Sequence, residues 1–330
     1  MKRAVLNKRL SLAASLATIL TFIVVRTIIP EYSQMVYFIV FYIALGLAFD
    51  IFLGFTNYVC FGYVVFLALG GYAMAHSFKW FTGDPTLSVA LGLLLSTIYA
   101  SIVALIVGLI GLRLREVYFA IATIGLTQGI RFFIEGFRVW GGSEGLIVAG
   151  DIISKYGSEW LTLLSVDYAD ALTFITAIAS IAVTYYLIVS KTGYALLAIR
   201  EDEEVAMSFG VNPVKYKLLV FMISAILGAF IGASKLLKDQ AVFPAEAFSL
   251  AFTLEALVIT LVGGKGTLLG PLIAGILYAG LKYFLTTIMP GLQLLVFALI
   301  VIGVVVLFPE GIVGWLKKRF RGTLLDELLI

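Results

Sequence analysis

The chain has 330 residues, of which 62% are hydrophobic and 13% charged, with a mean hydropathy of +1.08. Soluble domains carry about 25% charged residues, so a water-soluble globular protein is excluded. A net charge of +3 without a basic arm or stripe argues against nucleic acid as a partner, and a single cysteine, Cys60, rules out an intrachain disulfide and any CxxC metal or redox spacing.

Apolar runs read against turn and charge signals predict ten membrane spans, near 9–29, 35–54, 57–75, 87–111, 117–134, 171–190, 216–236, 248–263, 268–288 and 292–309. Lys2, Arg3, Lys8 and Arg9 precede a first apolar stretch that outruns the h-region of a signal peptide and ends in no small-x-small cleavage site. An uncleaved first span is expected there. The run before Gly263 and Gly264 is short enough for a half-helix or re-entrant segment.

With ten spans and a cytoplasmic start, 15 Lys and Arg residues fall on the inside and 5 on the outside. The positive-inside rule therefore puts both termini in the cytoplasm, and removing the short span would send the basic run Lys317, Lys318, Arg319 and Arg321 outside. The chain reads as one all-α transmembrane domain over 1–330, with an extracytoplasmic loop at 135–170 and a cytoplasmic loop at 191–215.

The cytoplasmic loop is the most polar stretch. Asp202 is placed to cap a short helix whose first turn is acidic, Gly210 suits the residue after its last turn, and Pro213 stops continuation. Val205 and Phe209, four apart, share a face with Ala206, so an apolar knob points at the cytoplasm with nothing in this chain to bury it. A protein partner or the membrane surface must cover it, and the acidic turn disfavours anionic lipid.

Here a resemblance enters. The run Lys191 to Ala225, KTGYALLAIREDEEVAMSFGVNPVKYKLLVFMISA, resembles the signature loop of the longer of the two permease types in branched-chain amino-acid ABC importers. Glu204, Ala206 and Gly210 match the E-x-A-x-x-x-G core by which such permeases dock onto their ATPases. LRLREVYFAIATIGLTQGIR at 112–131, GGSEGL at 141–146, FSLAFTLEALVITLVGGKGTLLGP at 248–271 and FPEGIVG at 308–314 are similar to further segments of that family, in the same order. Where many relatives carry G-Q-L-S-L-G-H at the third span, this chain has Asn57 to Tyr63, which keeps the glycine and changes side chains on the expected path.

The resemblance implies a type II ABC importer-like permease with no catalytic residues and no bound cofactor of its own, ATP and Mg being held by two separate ATPase subunits. It also implies a second permease of the shorter type, an extracytoplasmic amino-acid-binding protein and the cytoplasmic membrane of a prokaryote. Arg200, Glu201, Asp202, Glu204, Ala206 and Gly210 are the expected coupling residues. Branched-chain amino acids are the expected cargo, with urea, short amides or another amino acid as alternatives.

Polar groups in apolar spans are functional candidates, because a charge there costs at least a few kcal/mol unless paired or wet. Asn57, Tyr58, Thr123, Gln128, Glu255, Gly263 and Gly264 are the candidate substrate path. Arg131 and Glu135, four apart, are expected to pair, and Asp50 to sit solvated near the inner surface. Gly125 with Gly129, and Gly228 with Gly232, read as helix-packing patterns. An ion-coupled secondary transporter is the competing class, but deep acids are few and no convincing internal repeat is found. An intramembrane metalloenzyme lacks H-E-x-x-H, and no metal site is expected from a lone histidine, His76.

Overall fold

The computed structural model describes residues 2–288, 299, 302–303 and 311–319. Among these, eight helices are long and apolar enough to cross a membrane. Most of the predicted span at 292–309 and the first three residues of the FPEGIVG segment lie outside the described residues. The third predicted span, 57–75, is corrected by the structure: residues 57–63 are not helical, and α3 runs Val64–Trp80. Asn57 takes a left-handed backbone (φ 62°), which breaks the helix before the apolar run resumes.

The chain divides into two compact bodies. The first holds the residues up to Thr56, Ala177–Asp202 and those from Glu255 onward. Its elements are α1 (Lys2–Ile28), α2 (Ser33–Thr56), most of α8 (Ala169–Val189), α9 (Lys191–Glu201), most of α13 (Leu250–Gly263) and α14 (Leu269–Ile288). A helix at Gly311–Arg319 packs Val313 against Leu269. The most apolar stretch of α2 is 94% buried, against 17% for α1. Glycines let neighbours reach α2: a Cβ on Gly46 would stand 2.4 Å from Ile259 of α13, and one on Gly275 of α14 would stand 2.9 Å from the Ile43 backbone. At 14 residues, α13 rises about 21 Å, less than the roughly 30 Å of a hydrocarbon core. Counted from Pro244, the segment Pro244–Gly263 has 20 residues and is one of the eight long and apolar enough to cross.

The second body holds Asn57–Thr176 and Glu203–Leu254. Here α3 packs with α4 (Pro85–Gly111) and α11 (Pro213–Asp239). On α4 the buried residues Ser88, Gly92, Ser96, Ala100, Ala104 and Gly108 recur every four positions, a stripe of small side chains that brings backbones close. The Gly228 and Gly232 pattern also packs helices: Cβ atoms on Gly70 and Gly232 would meet the carbonyl oxygens of Ala229 and Leu67 at 1.8 Å. Gly125 and Gly129 of α5 (Glu116–Gly136) face open space instead, a difference from the expected packing role within this chain.

Local chemistry sets the helix ends. Asp84 caps α4 by accepting from the Thr86 hydroxyl and backbone N–H, which holds its carboxyl below the usual aspartate range. Lys155 of α6 (Ala149–Tyr156) donates to the carbonyls of Phe78, Lys79 and Phe81, the orphan acceptors at the end of α3. The glycine cluster Gly141, Gly142 and Gly145 adopts positive φ throughout. Gly145 leads into a two-residue antiparallel ladder that pairs Leu146 with Val242 and Ile147 with Ala241. The remaining short α-helices among the described residues are α7 (Ser158–Leu163), α10 (Glu203–Ser208) and α12 (Pro244–Ala247).

Candidate functional site

Loop 191–215 contributes to both bodies. In the first, Ser190 caps α9 by accepting from Gly193 N–H, and a Cβ on Gly193 would collide with the Leu187 carbonyl at 1.6 Å. Glycine is thus the only residue that permits this tight turn out of α8. Arg200, near the end of α9, donates to the Gly54 carbonyl at 2.7 Å, at the end of α2, and lies 3.7 Å from Glu201. One turn back, the buried Asp50 carboxylate accepts from Gly266 N–H at 3.0 and 3.2 Å. The expectation that Asp50 is solvated is corrected: it is fully buried and satisfies a backbone donor that the turn between α13 and α14 leaves without a helical partner.

That turn contains Gly263, Gly264, Gly266 and Gly270. Gly264 and Gly266 have φ of 114° and 71°, and a Cβ on Gly263 would stand 2.3 Å from the Gly270 backbone. A tight turn and a close helix crossing occur together. Higher in the same body, Lys282 bonds Glu255 and donates to the Tyr42 hydroxyl at 2.6 Å, and the Tyr42 and Tyr278 rings lie 4.9 Å apart. Glu255 was legible as an intramembrane acid, whereas Lys282 as its counter-ion was not. The two are 27 residues apart, and no local pattern pairs them.

In the second body, α10 follows directly on Asp202, whose backbone is extended as an N-cap requires. Val205, Met207 and Phe209 are exposed, Phe209 by 82%, while Ala206 is buried. Ala206 therefore does not join the knob as expected, and Met207 takes its place. Gly210 has φ 80° and donates its N–H to the Met207 carbonyl, ending the helix, and Asn212 caps α11 through Lys215 N–H. Glu204 is exposed.

Glu203 is the residue the sequence reading missed. Its carboxylate lies 2.5 Å from Lys217 Nζ, whose side chain is completely buried in the first turns of α11. The ammonium also sits 3.9 Å from the centre of the Tyr58 ring, and the Tyr58 hydroxyl is 3.3 Å from both Glu203 Oε2 and the Leu114 carbonyl. Asn57 reaches Glu116 at 3.5 Å. Thus Asn57 and Tyr58 stand beside α10 and the start of α5. Thr123 bonds the Ala120 carbonyl and its backbone abuts Gly62, while Gln128 is half-buried on α5. Arg131 and Glu135 pair at 2.8 Å as expected. Of the seven candidate path residues, Asn57, Tyr58, Thr123 and Gln128 belong to the second body, and Glu255, Gly263 and Gly264 to the first.

Among the described residues, eight helices long and apolar enough to cross a membrane, with breaks at 57–63 and at the turn between α13 and α14, make this a multi-pass membrane protein. The chain belongs to the family described as branched-chain amino acid transport system / permease component, whose model matches residues 29–308. It is 30% identical over 257 residues to the high-affinity branched-chain amino acid transport system permease protein LivM of Escherichia coli (strain K12). It is 28% identical over 261 residues to the protein of the same name in Salmonella typhimurium. Each match covers 72% of this chain and 59% of the relative, so the chain spans under two thirds of the length of these relatives. No solved structure matches.

Proposed function

We propose that this chain is a permease subunit of an ATP-driven importer of branched-chain amino acids in the cytoplasmic membrane of a prokaryote, with ten spans and both termini in the cytoplasm. Two separate ATPase subunits bind ATP and Mg, a second permease of the shorter type completes the pathway, and an extracytoplasmic binding protein delivers the cargo. The observation that carries this reading is α10, which exposes Val205, Met207 and Phe209 to solvent at the matched docking motif Glu204, Ala206 and Gly210. An apolar surface held out by a built cap needs a partner to bury it. Arg200, Glu201 and Asp202 lead into this helix, and Glu203 ties it to Lys217. The LivM names favour branched-chain amino acids over urea, short amides or another amino acid as cargo.

The test is the complete complex in liposomes, with ATP hydrolysis and L-leucine uptake measured together. Gly210→Pro forces φ near −65° where the chain needs 80°. It is expected to abolish leucine-dependent uptake while membrane insertion stays normal. Unchanged uptake would remove α10 from the mechanism, and ATP-independent transport by the chain alone would establish a secondary transporter.

A further inference from the structure

Residues 57–63 are packed inside the second body yet are not helical, so contacts with other elements hold them in place of a backbone ladder. Asn57 opens the segment with its left-handed backbone and reaches Glu116 at 3.5 Å. Tyr63 closes it by donating to the Ser224 carbonyl at 2.9 Å. A Cβ on Gly62 would stand 2.6 Å from the Thr123 carbonyl oxygen, so the segment lies directly on α5. A residue other than glycine stays left-handed only where its surroundings hold it, and such positions cluster in segments that switch.

Tyr58 joins this segment to α10. Its ring is fixed on two sides, 3.9 Å from the Lys217 ammonium and edge-on to Phe119 with ring centres 5.8 Å apart. Its hydroxyl stands 3.3 Å from Glu203 Oε2 on α10 and 3.3 Å from the Leu114 carbonyl ahead of α5. A phenol has one proton to donate, and an O–H···O bond is fully made at about 2.7–2.8 Å. At two equal and long distances neither bond is complete, so a shift of about 0.5 Å commits the proton to one acceptor. The carboxylate is the stronger acceptor, and the same oxygen also holds Lys217. With α10 seated, the proton rests toward Glu203; with α10 drawn away it passes to Leu114, and the segment loses one of its outside contacts.

We propose that Tyr58 is a positioning residue that couples α10 to the segment 57–63 through this divided hydrogen bond, so that displacement of α10 by its partner loosens the segment. This deepens the importer reading above and rests on it for the partner that moves α10. It gives Tyr58 a part in coupling in place of the cargo path expected from the sequence. No local pattern carries that role, since Tyr58 lies 145 residues from Glu203 and 56 from Leu114.

Cys60, buried within the segment, is the single cysteine of the chain and reports its opening without an engineered thiol. In the complete complex in nanodiscs, modification of Cys60 by N-ethylmaleimide is followed by peptide mass spectrometry, without nucleotide and with Mg, ATP and vanadate. The two rates are expected to differ at least fivefold. Tyr58→Phe keeps the ring on Lys217 and Phe119 and removes only the hydroxyl. It is expected to bring the difference below twofold and, in liposomes, to raise the ATP hydrolysed per leucine imported at least fivefold, with thermal midpoint and leucine KM unchanged. Phe119→Leu disturbs the ring and spares the hydroxyl, so the difference persists even where the midpoint falls. If Tyr58→Phe does not assemble, Glu203→Asp, too short to reach Lys217 and Tyr58 together, gives the same loss. Cys60 labelling indifferent to nucleotide in the unaltered complex, or a difference that survives Tyr58→Phe, overturns the proposal. A labelling response without leucine uptake upholds the link and overturns the importer reading, whereas uptake with an unresponsive Cys60 overturns the link alone.

Discussion

Replacing Glu203 by glutamine leaves the Lys217 ammonium in a site where its side chain has 0% exposure, with its hydrogen-bonded carboxylate gone and only the Tyr58 ring and the charge of Glu116 to compensate it. Breaking a buried pair from one side costs about 3–5 kcal/mol. The 35% exposure of the Glu203 side chain brings the pair to the lower end of that range, near 3 kcal/mol, and the cation–π contact persists in both states. Lys217→Met is a different perturbation. It keeps the packed alkyl stem and leaves a carboxylate that already reaches solvent, for a cost of about 1 kcal/mol. Since 1.4 kcal/mol is tenfold, local opening of α10 is expected to rise about a hundredfold in Glu203→Gln and about fivefold in Lys217→Met. The double variant should resemble Lys217→Met, since no buried charge remains. Hydrogen exchange followed by mass spectrometry over residues 203–210 in nanodiscs measures all three. Equal exchange rates in the two single variants would refute the reasoning, because the asymmetry follows directly from one partner being dry and the other wet.

Gly70→Ala and Gly232→Ala each drive a Cβ to 1.8 Å from a facing carbonyl oxygen, so α3 and α11 must separate. Each is expected to cost about 3 kcal/mol or more and to lower the monodisperse yield and thermal midpoint in detergent. Gly125→Ala, with nothing within 4 Å, should leave the midpoint unchanged or raised; a comparable fall would sink the distinction. Glu255→Gln removes the carboxylate beside Lys282 and is expected to lower both the midpoint and leucine uptake while ATPase subunits still co-purify. Adding Lys282→Met should recover the midpoint, and a Glu255→Gln protein of unaltered stability would show that the pair contributes nothing to the fold.

Much of this architecture was legible locally. Apolar runs of helix length, Gly210 after α10, and Arg131 four residues from Glu135 all act over a few residues, which is the range over which sequence patterns are physically interpretable. The start of α3 escaped because Asn57 to Tyr63 is apolar enough to read as span, while its backbone is decided by Asn57 turning left-handed and by Tyr63 bonding the Ser224 carbonyl, 161 residues away. Ala206 was placed on the wrong side because helical periodicity says which residues share a face and not which face is covered.

By itself the sequence determined a helical multi-pass membrane protein, the positions of most spans, a short capped helix in a polar loop and the glycines at the α13 to α14 turn. Those follow from the hydrocarbon thickness, from backbone hydrogen bonding and from the conformational freedom of glycine, all of them local constraints. Only the tertiary structure decided that Asp50 accepts from Gly266, that Glu203 takes Lys217, that Glu255 takes Lys282 and that the Tyr58 hydroxyl is shared between Glu203 and Leu114. Inside a medium that cannot solvate them, charges must find one another, and which one each finds depends on which helices the packing of small residues brings together.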